Sequence, residues 1–193
     1  MRAFFLAALA VCTLLAGCGK PASFNATDLS GAELGRGFQL NDHLKQSRRL
    51  DDFRGKVVVM FFGYTQCPDV CPTNMSAMRE VMTALGKEAD RVQVLFVTVD
   101  PERDTPELLA QYVPAFHPSF IGLYGDAAAT AATASEFKIF YQKQAGSSPT
   151  TYTVDHSAGS YVFDPKGRLR LYLRHGEMPQ RIAQDISRLL AGE

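Results

Sequence analysis

Two continuous apolar runs dominate the hydropathy pattern, Lys56-Val-Val-Val-Met-Phe-Phe-Gly63 and Val92-Gln-Val-Leu-Phe-Val-Thr-Val99. β-branched and aromatic residues bounded by glycine or by Asp100-Pro101, without alternation, predict strands buried on both faces. Between them residues 70–85 carry apolar positions at helical spacing, including Met75, Met78, Met82 and Leu85, so the segment reads as a βαβ unit with a right-handed crossover. Further on, the pattern predicts a helix from 105 or 106 to about 113 and a short strand at 120–124. An Ala-rich helix follows over 127–140, with Asp126 as its N-cap. Residues 144–151 are polar and rich in Gly, Ser and Pro, and read as a loop. Residues 160–163 and 169–173 flank the turn Asp164-Pro-Lys-Gly167 and form a β-hairpin. Residues 179–190 form an amphipathic closing helix with Ile182, Ile186, Leu189 and Leu190 on one side. The order of elements predicts an α/β fold, best fitted by a thioredoxin-like mixed sheet flanked by helices with a C-terminal β-hairpin and helix.

The extreme N-terminus departs from this pattern. Arg2, the apolar stretch 3–15 and Leu15-Ala16-Gly17-Cys18 form a processing signal that resembles a bacterial lipobox. That resemblance implies cleavage before Cys18 and lipidation of its thiol, with Gly19 in place of the Asp of the common inner-membrane retention signal, so inner versus outer membrane stays open. The expected organisation is a signal peptide at 1–17, a lipidated N-terminus and tether at 18–35 with a first short strand near its end, and one soluble domain at 36–193, facing the periplasm or extracytoplasmic space. Twenty basic and twenty acidic residues cancel, and Arg48-Arg49 is the densest basic run, which argues against a nucleic-acid partner.

The same signal decides the cysteine arithmetic. Of four cysteines, the lipobox resemblance implies that Cys12 leaves with the signal and that lipid would consume Cys18, so Cys67 and Cys71 are expected to remain as a pair in a compartment that permits both disulfides and metal binding. They stand four apart in Gly63-Tyr-Thr-Gln-Cys67-Pro-Asp-Val-Cys71-Pro72, where the carboxyl edge of a central strand meets a helix N-terminus. Their spacing allows either a disulfide or chelation of one ion, and the helix terminus favours thiolate at the nearer sulfur. No second cysteine pair and no paired histidines are present to complete a structural zinc site, since His43, His117, His156 and His175 stand apart, which disfavours zinc without excluding it. Two thiolates with an imidazole suit copper. Met75, Met78 and Met82 repeat at helical spacing and are assigned to core packing rather than to a methionine copper site.

Three motifs in order, the cysteine run above, Val97-Thr-Val-Asp-Pro-Glu-Arg-Asp-Thr-Pro106 and Tyr152-Thr-Val-Asp-His-Ser157, resemble the Sco/SenC copper-chaperone family over about residues 35–190. The resemblance implies one copper ion, Cu(I) or Cu(II), held by Cys67, Cys71 and His156. It further implies delivery to the binuclear copper centre on cytochrome c oxidase subunit II, from an unidentified donor. Many relatives carry His where Gln66 stands, so any contribution of that His is missing here. Asp100 belongs to a recurring acidic motif; it orients the site, accepts a thiol hydrogen bond or caps the turn that follows, and Asp155 is equally open.

Alternatives follow from the same thiols. A disulfide-forming Cys67–Cys71 pair could serve a thiol-disulfide reductase that keeps acceptor cysteines reduced, although such enzymes usually have a two-residue spacer and lack a ligand histidine. A peroxidase-like thiol enzyme using Cys67 would not require His156, and copper storage or sensing would share the site without delivery.

Overall fold

The computed structural model describes residues 23–148 and 151–193. The expected signal peptide, Cys12 and the lipidation candidate Cys18 lie outside the described residues. Among these residues ten strands and four α-helices run in the order β1 (Thr27–Asp28), β2 (Gln39–Asp42), β3 (Ser47–Arg49), β4 (Val57–Gly63), α1 (Val70–Leu85), β5 (Val92–Thr98), α2 (Pro106–Tyr112), β6 (Ile121–Tyr124), α3 (Ala127–Glu136), β7 (Tyr141–Ser148), β8 (Thr151–His156), β9 (Ser160–Phe163), β10 (Leu169–Leu173) and α4 (Pro179–Leu190).

Eight strands form one mixed sheet in the order β1-β10-β9-β4-β5-β6-β2-β3. β4, β5 and β6 are parallel, as the βαβ pattern requires, and β9 joins β4 antiparallel. Every residue of β4 and β5 is buried, because helices cover both faces of the sheet at its centre. α4 packs on α1, while α2 packs on β6. Gly122 permits the latter approach, since a Cβ there would lie 3.1 Å from Val113 and 3.2 Å from Leu109. Met75, Met78 and Met82 are core residues, as their spacing predicts. No described helix is long and apolar enough to cross a membrane.

Three departures from the sequence expectation have local causes. The chain is already tied down at Asn25 and Ala26, whose amides donate to the buried Asp185 of α4, and Thr27–Asp28 pair with β10 inside the stretch expected to be a tether. α3 stops at Glu136 instead of running to 140 because Lys138 takes a left-handed φ of 53° and Ile139 N–H returns to the Ala134 carbonyl. Most consequentially, the stretch 144–151 read as a loop is the tip of a second hairpin, β7–β8, paired from Tyr141↔His156 to Ser148↔Thr151 as a separate two-stranded sheet. Its outer strand is polar and exposed, so hydropathy hid it. The signal present in the sequence was the alternation of Tyr152, Val154 and His156, which places all three on one face.

Candidate metal site

The site is assembled at the carboxyl end of β4. Gly63 closes that strand, and an added Cβ would stand 2.8 Å from Cys71 Sγ and 2.8 Å from the Phe61 ring, so the absence of a side chain makes room for the sulfur. The sequence pattern marks Gly63 as a strand boundary and the start of the cysteine motif, but not as a space for sulfur. A short loop then brings Cys67, half-buried, to the start of α1, where Cys71 is fully buried. Cys71 is the second residue of the helix, and its free N–H points at Cys67 Sγ at 3.4 Å. Cys67 sulfur thus occupies the position of a capping acceptor at a helix terminus. His156 arrives from the end of β8, with Nε2 3.4 Å from Cys71 Sγ. The two sulfurs and the imidazole donor atom all lie within 4.8 Å of one another, and they form the one such cluster of ligating side chains among the described residues.

The chemistry of these donors is set by their surroundings. His156 Nδ1 lies 3.0 Å from the Ser157 carbonyl, which can only accept, so the ring proton sits on Nδ1 and the Nε2 lone pair faces the thiols. Burial holds His156 below its ordinary pKa of 6.5, favouring the neutral ring that a metal needs. The rings of Phe61 and Tyr64, each 5.9 Å from His156 and steeply inclined, wall it in. Burial pushes the Cys71 thiol well above its ordinary value, reinforced by its contact with Cys67. The expected thiolate-favouring effect of the helix terminus therefore does not reach Cys71; the amide is aimed at Cys67 instead. Both cysteines are free, so the disulfide expected of an oxidised pair is not formed here.

Residues of the second motif support this arrangement without entering it. Asp100 is fully buried at the end of β5, and its carboxylate accepts from Arg103 Nε at 2.5 Å and the Tyr152 hydroxyl at 2.7 Å rather than from a thiol. Its backbone carbonyl also caps the turn, accepting from Arg103 and Asp104 N–H. Asp104, which sequence analysis did not single out, is buried and accepts from Thr65 N–H at 3.0 Å, Thr65 hydroxyl at 2.6 Å and Thr98 hydroxyl at 2.6 Å, pinning the cysteine loop to β5. Gln66 accepts from Arg103 at 3.1 Å. Asp155 points away and is bonded by Gln144 on the exposed side of the hairpin. His43 and His117 are engaged with Gly122 and Ser119, far along the chain from the thiol cluster. His175 bonds Asn74, whose amide donates to the Ala158 carbonyl just beyond His156.

The SCO1/SenC family model matches residues 26–191. The chain belongs to that family. Among curated relatives, mouse "Protein SCO2 homolog, mitochondrial" is 37% identical over 84% of this chain and 65% of its own length, so the chain spans just under two thirds of that relative. Among solved structures, Bradyrhizobium japonicum ScoI with copper bound is 38% identical, with a TM-score of 0.75 over 82% of this chain and 99% of that one. Apo Sco1 from Thermus thermophilus is 40% identical, with a TM-score of 0.76 over 91% of this chain and 100% of that one. The thioredoxin-like architecture expected from the order of elements is thus shared with solved SCO1/SenC proteins.

Proposed function

We propose that this SCO1/SenC protein binds one copper ion through Cys67, Cys71 and His156 and passes it to the binuclear copper centre of cytochrome c oxidase subunit II. Convergence of two sulfurs and one Nε2 within 4.8 Å carries the proposal. Soft thiolates select copper in its lower oxidation state and imidazole serves both states, whereas structural zinc would require a fourth ligand that the cluster does not offer. The copper-bound relative at 38% identity supports the same cargo. Copper displaces the protons of the thiols on entry, and stepwise replacement of its three ligands by those of the acceptor releases it without a change in fold. Oxidation of Cys67 and Cys71 to a disulfide would remove both sulfur ligands and empty the site. We place the domain at a membrane surface on the extracytoplasmic side, anchored through lipid on Cys18.

The contrast between half-buried Cys67 and fully buried Cys71 favours one second reading, a thiol-disulfide reductase. Cys67 would attack an acceptor disulfide, and Cys71 would resolve the mixed disulfide, leaving an acceptor dithiol and an oxidised Cys67–Cys71 pair. Copper stoichiometry of residues 19–193, reduced and anaerobic, compared with Cys67→Ala, Cys71→Ala and His156→Ala, separates the two. One ion per chain, lost or weakened in each variant, supports carriage; no retained copper with rapid thiol exchange supports reduction.

A further inference from the structure

The hairpin that delivers His156 has no ladder bond to the eight-stranded sheet among the described residues. Its position relative to the thiols therefore depends on side chains. Val154, 4% exposed, anchors its middle in the core. Towards the tip, the attachment is Arg103. Its side chain is 14% exposed, and the guanidinium lies 3.5 Å from the centroid of the Tyr152 ring and donates through Nη1 to the Tyr152 carbonyl at 2.9 Å. The same Nη1 reaches Gln66, the residue before Cys67, and Nε is held by Asp100. The second carboxylate oxygen of Asp100 accepts the Tyr152 hydroxyl. Arg103 Nη2 is buried without a hydrogen-bond acceptor, which leaves the aromatic face as its compensating contact.

We propose that Arg103, clamped by Asp100 and stacked on Tyr152, is a positioning residue that couples the His156 strand to the cysteine loop and thereby sets how readily His156 leaves the copper ion. One side chain touches both ligand-bearing segments, and its anchor is a carboxylate with no exposure at the end of a central strand. Tyr152 and His156 share a face of an extended strand, so movement of one is transmitted to the other instead of being absorbed by a flexible loop. The exposed ion pair between Lys143 of the hairpin and Glu102, beside Arg103, contributes little by comparison. Lysine cannot reproduce the clasp, because a point charge could meet Asp100 without also forming the planar stack and the fork to Gln66 and Tyr152. The role in copper release rests on the proposed copper cargo; the role in holding the hairpin does not.

The test crosses Arg103→Ala and Arg103→Lys with His156→Ala and reads two quantities. The first is the rate of copper transfer from the reduced full-length protein to a Cu(I) chelator. Arg103→Ala should accelerate it by about tenfold and Arg103→Lys by a similar factor, while on the His156→Ala background Arg103→Ala should change it by less than about twofold. An unchanged rate, or the same acceleration on both backgrounds, would overturn the coupling. The second is amide hydrogen exchange in the copper-free reduced protein. Residues 151–156 should exchange about tenfold faster in Arg103→Ala while β4 and β5 are unaffected. Unaltered exchange in the hairpin would overturn the clasp even if wild type bound no copper, an outcome that would itself sink only the cargo assignment.

Discussion

Gly63→Ala is a sharp test of the claim that a missing side chain creates the sulfur's place. The new methyl would stand 2.8 Å from both Cys71 Sγ and Phe61 Cε1 and 3.1 Å from Phe96. Ordinary contacts between carbons sit at about 3.5–4.0 Å, so the overlap is roughly 0.7 Å or more at Cys71 and Phe61 and roughly 0.4 Å or more at Phe96, neighbours that are all fully buried. Overpacking of this kind costs about 1–3 kcal/mol. In a chain of this size that should lower Tm by about 2–12 °C. Copper affinity should fall as well, because the metal's bond lengths fix where Sγ must be, leaving the bound state less able to yield than the free one. A strain of about 1.4 kcal/mol expressed only in the bound state weakens binding tenfold. Gly122→Ala is the control: its Cβ would also be crowded, at 3.1 Å from Val113, but under α2 and away from the thiols. Urea unfolding at constant m, together with copper competition against a chelator of known affinity, measures both effects. Equal copper affinity in Gly63→Ala and wild type would refute the assignment of Gly63 to the site, and an unshifted unfolding midpoint would refute the steric estimate.

Four further outcomes are expected. Since burial raises the Cys71 pKa, the native reduced protein holds that proton more tightly than the unfolded chain; its stability without copper should decline as pH rises past the ordinary thiol value of 9.0, and Cys71→Ala should flatten the decline. By the same token copper binding near neutral pH should release at least one proton, visible as a dependence of the binding enthalpy on the buffer's ionisation enthalpy, and a buffer-independent enthalpy would count against thiol ligation. Asp104→Ala leaves the donors of Thr65 and Thr98 without their acceptor, so unfolding free energy should drop by about 2–3 kcal/mol, whereas a loss below about 0.5 kcal/mol would show that these bonds do not hold the cysteine loop. Cys18→Ser should release the protein from membranes, and persistent membrane association with acyl labelling would refute the anchor.

Much of this protein is written locally. Strands buried on both faces must be continuous apolar runs, so β4 and β5 are visible at a glance, and the helical period between them dictates the crossover. The position of Cys67 and Cys71 at a strand-to-helix junction follows from the same pattern, and so does the assignment of the three methionines to the core. His156 was different: nothing in its immediate surroundings marks it as a ligand, and only the resemblance of three motifs in order brought it to the cysteines. The tip of its hairpin, 144–151, reads as a loop in the sequence because a two-stranded, largely exposed sheet needs few apolar residues. Hydropathy is silent where burial is slight.

The tertiary structure alone decided what lies between segments distant in sequence. That Gly63 must lack a Cβ, that Asp104 pins the cysteine loop, and that Asp100 serves Arg103 and Tyr152 instead of a thiol are consequences of distances across the fold. So is the pKa of Cys71, where desolvation outweighs a helix terminus whose amide is directed at the other sulfur. A sequence records which donors are present and at what spacing. Which of them face one another, and how dry the space between them is, depends on packing among β4, β5, α1 and β8, which no local pattern encodes.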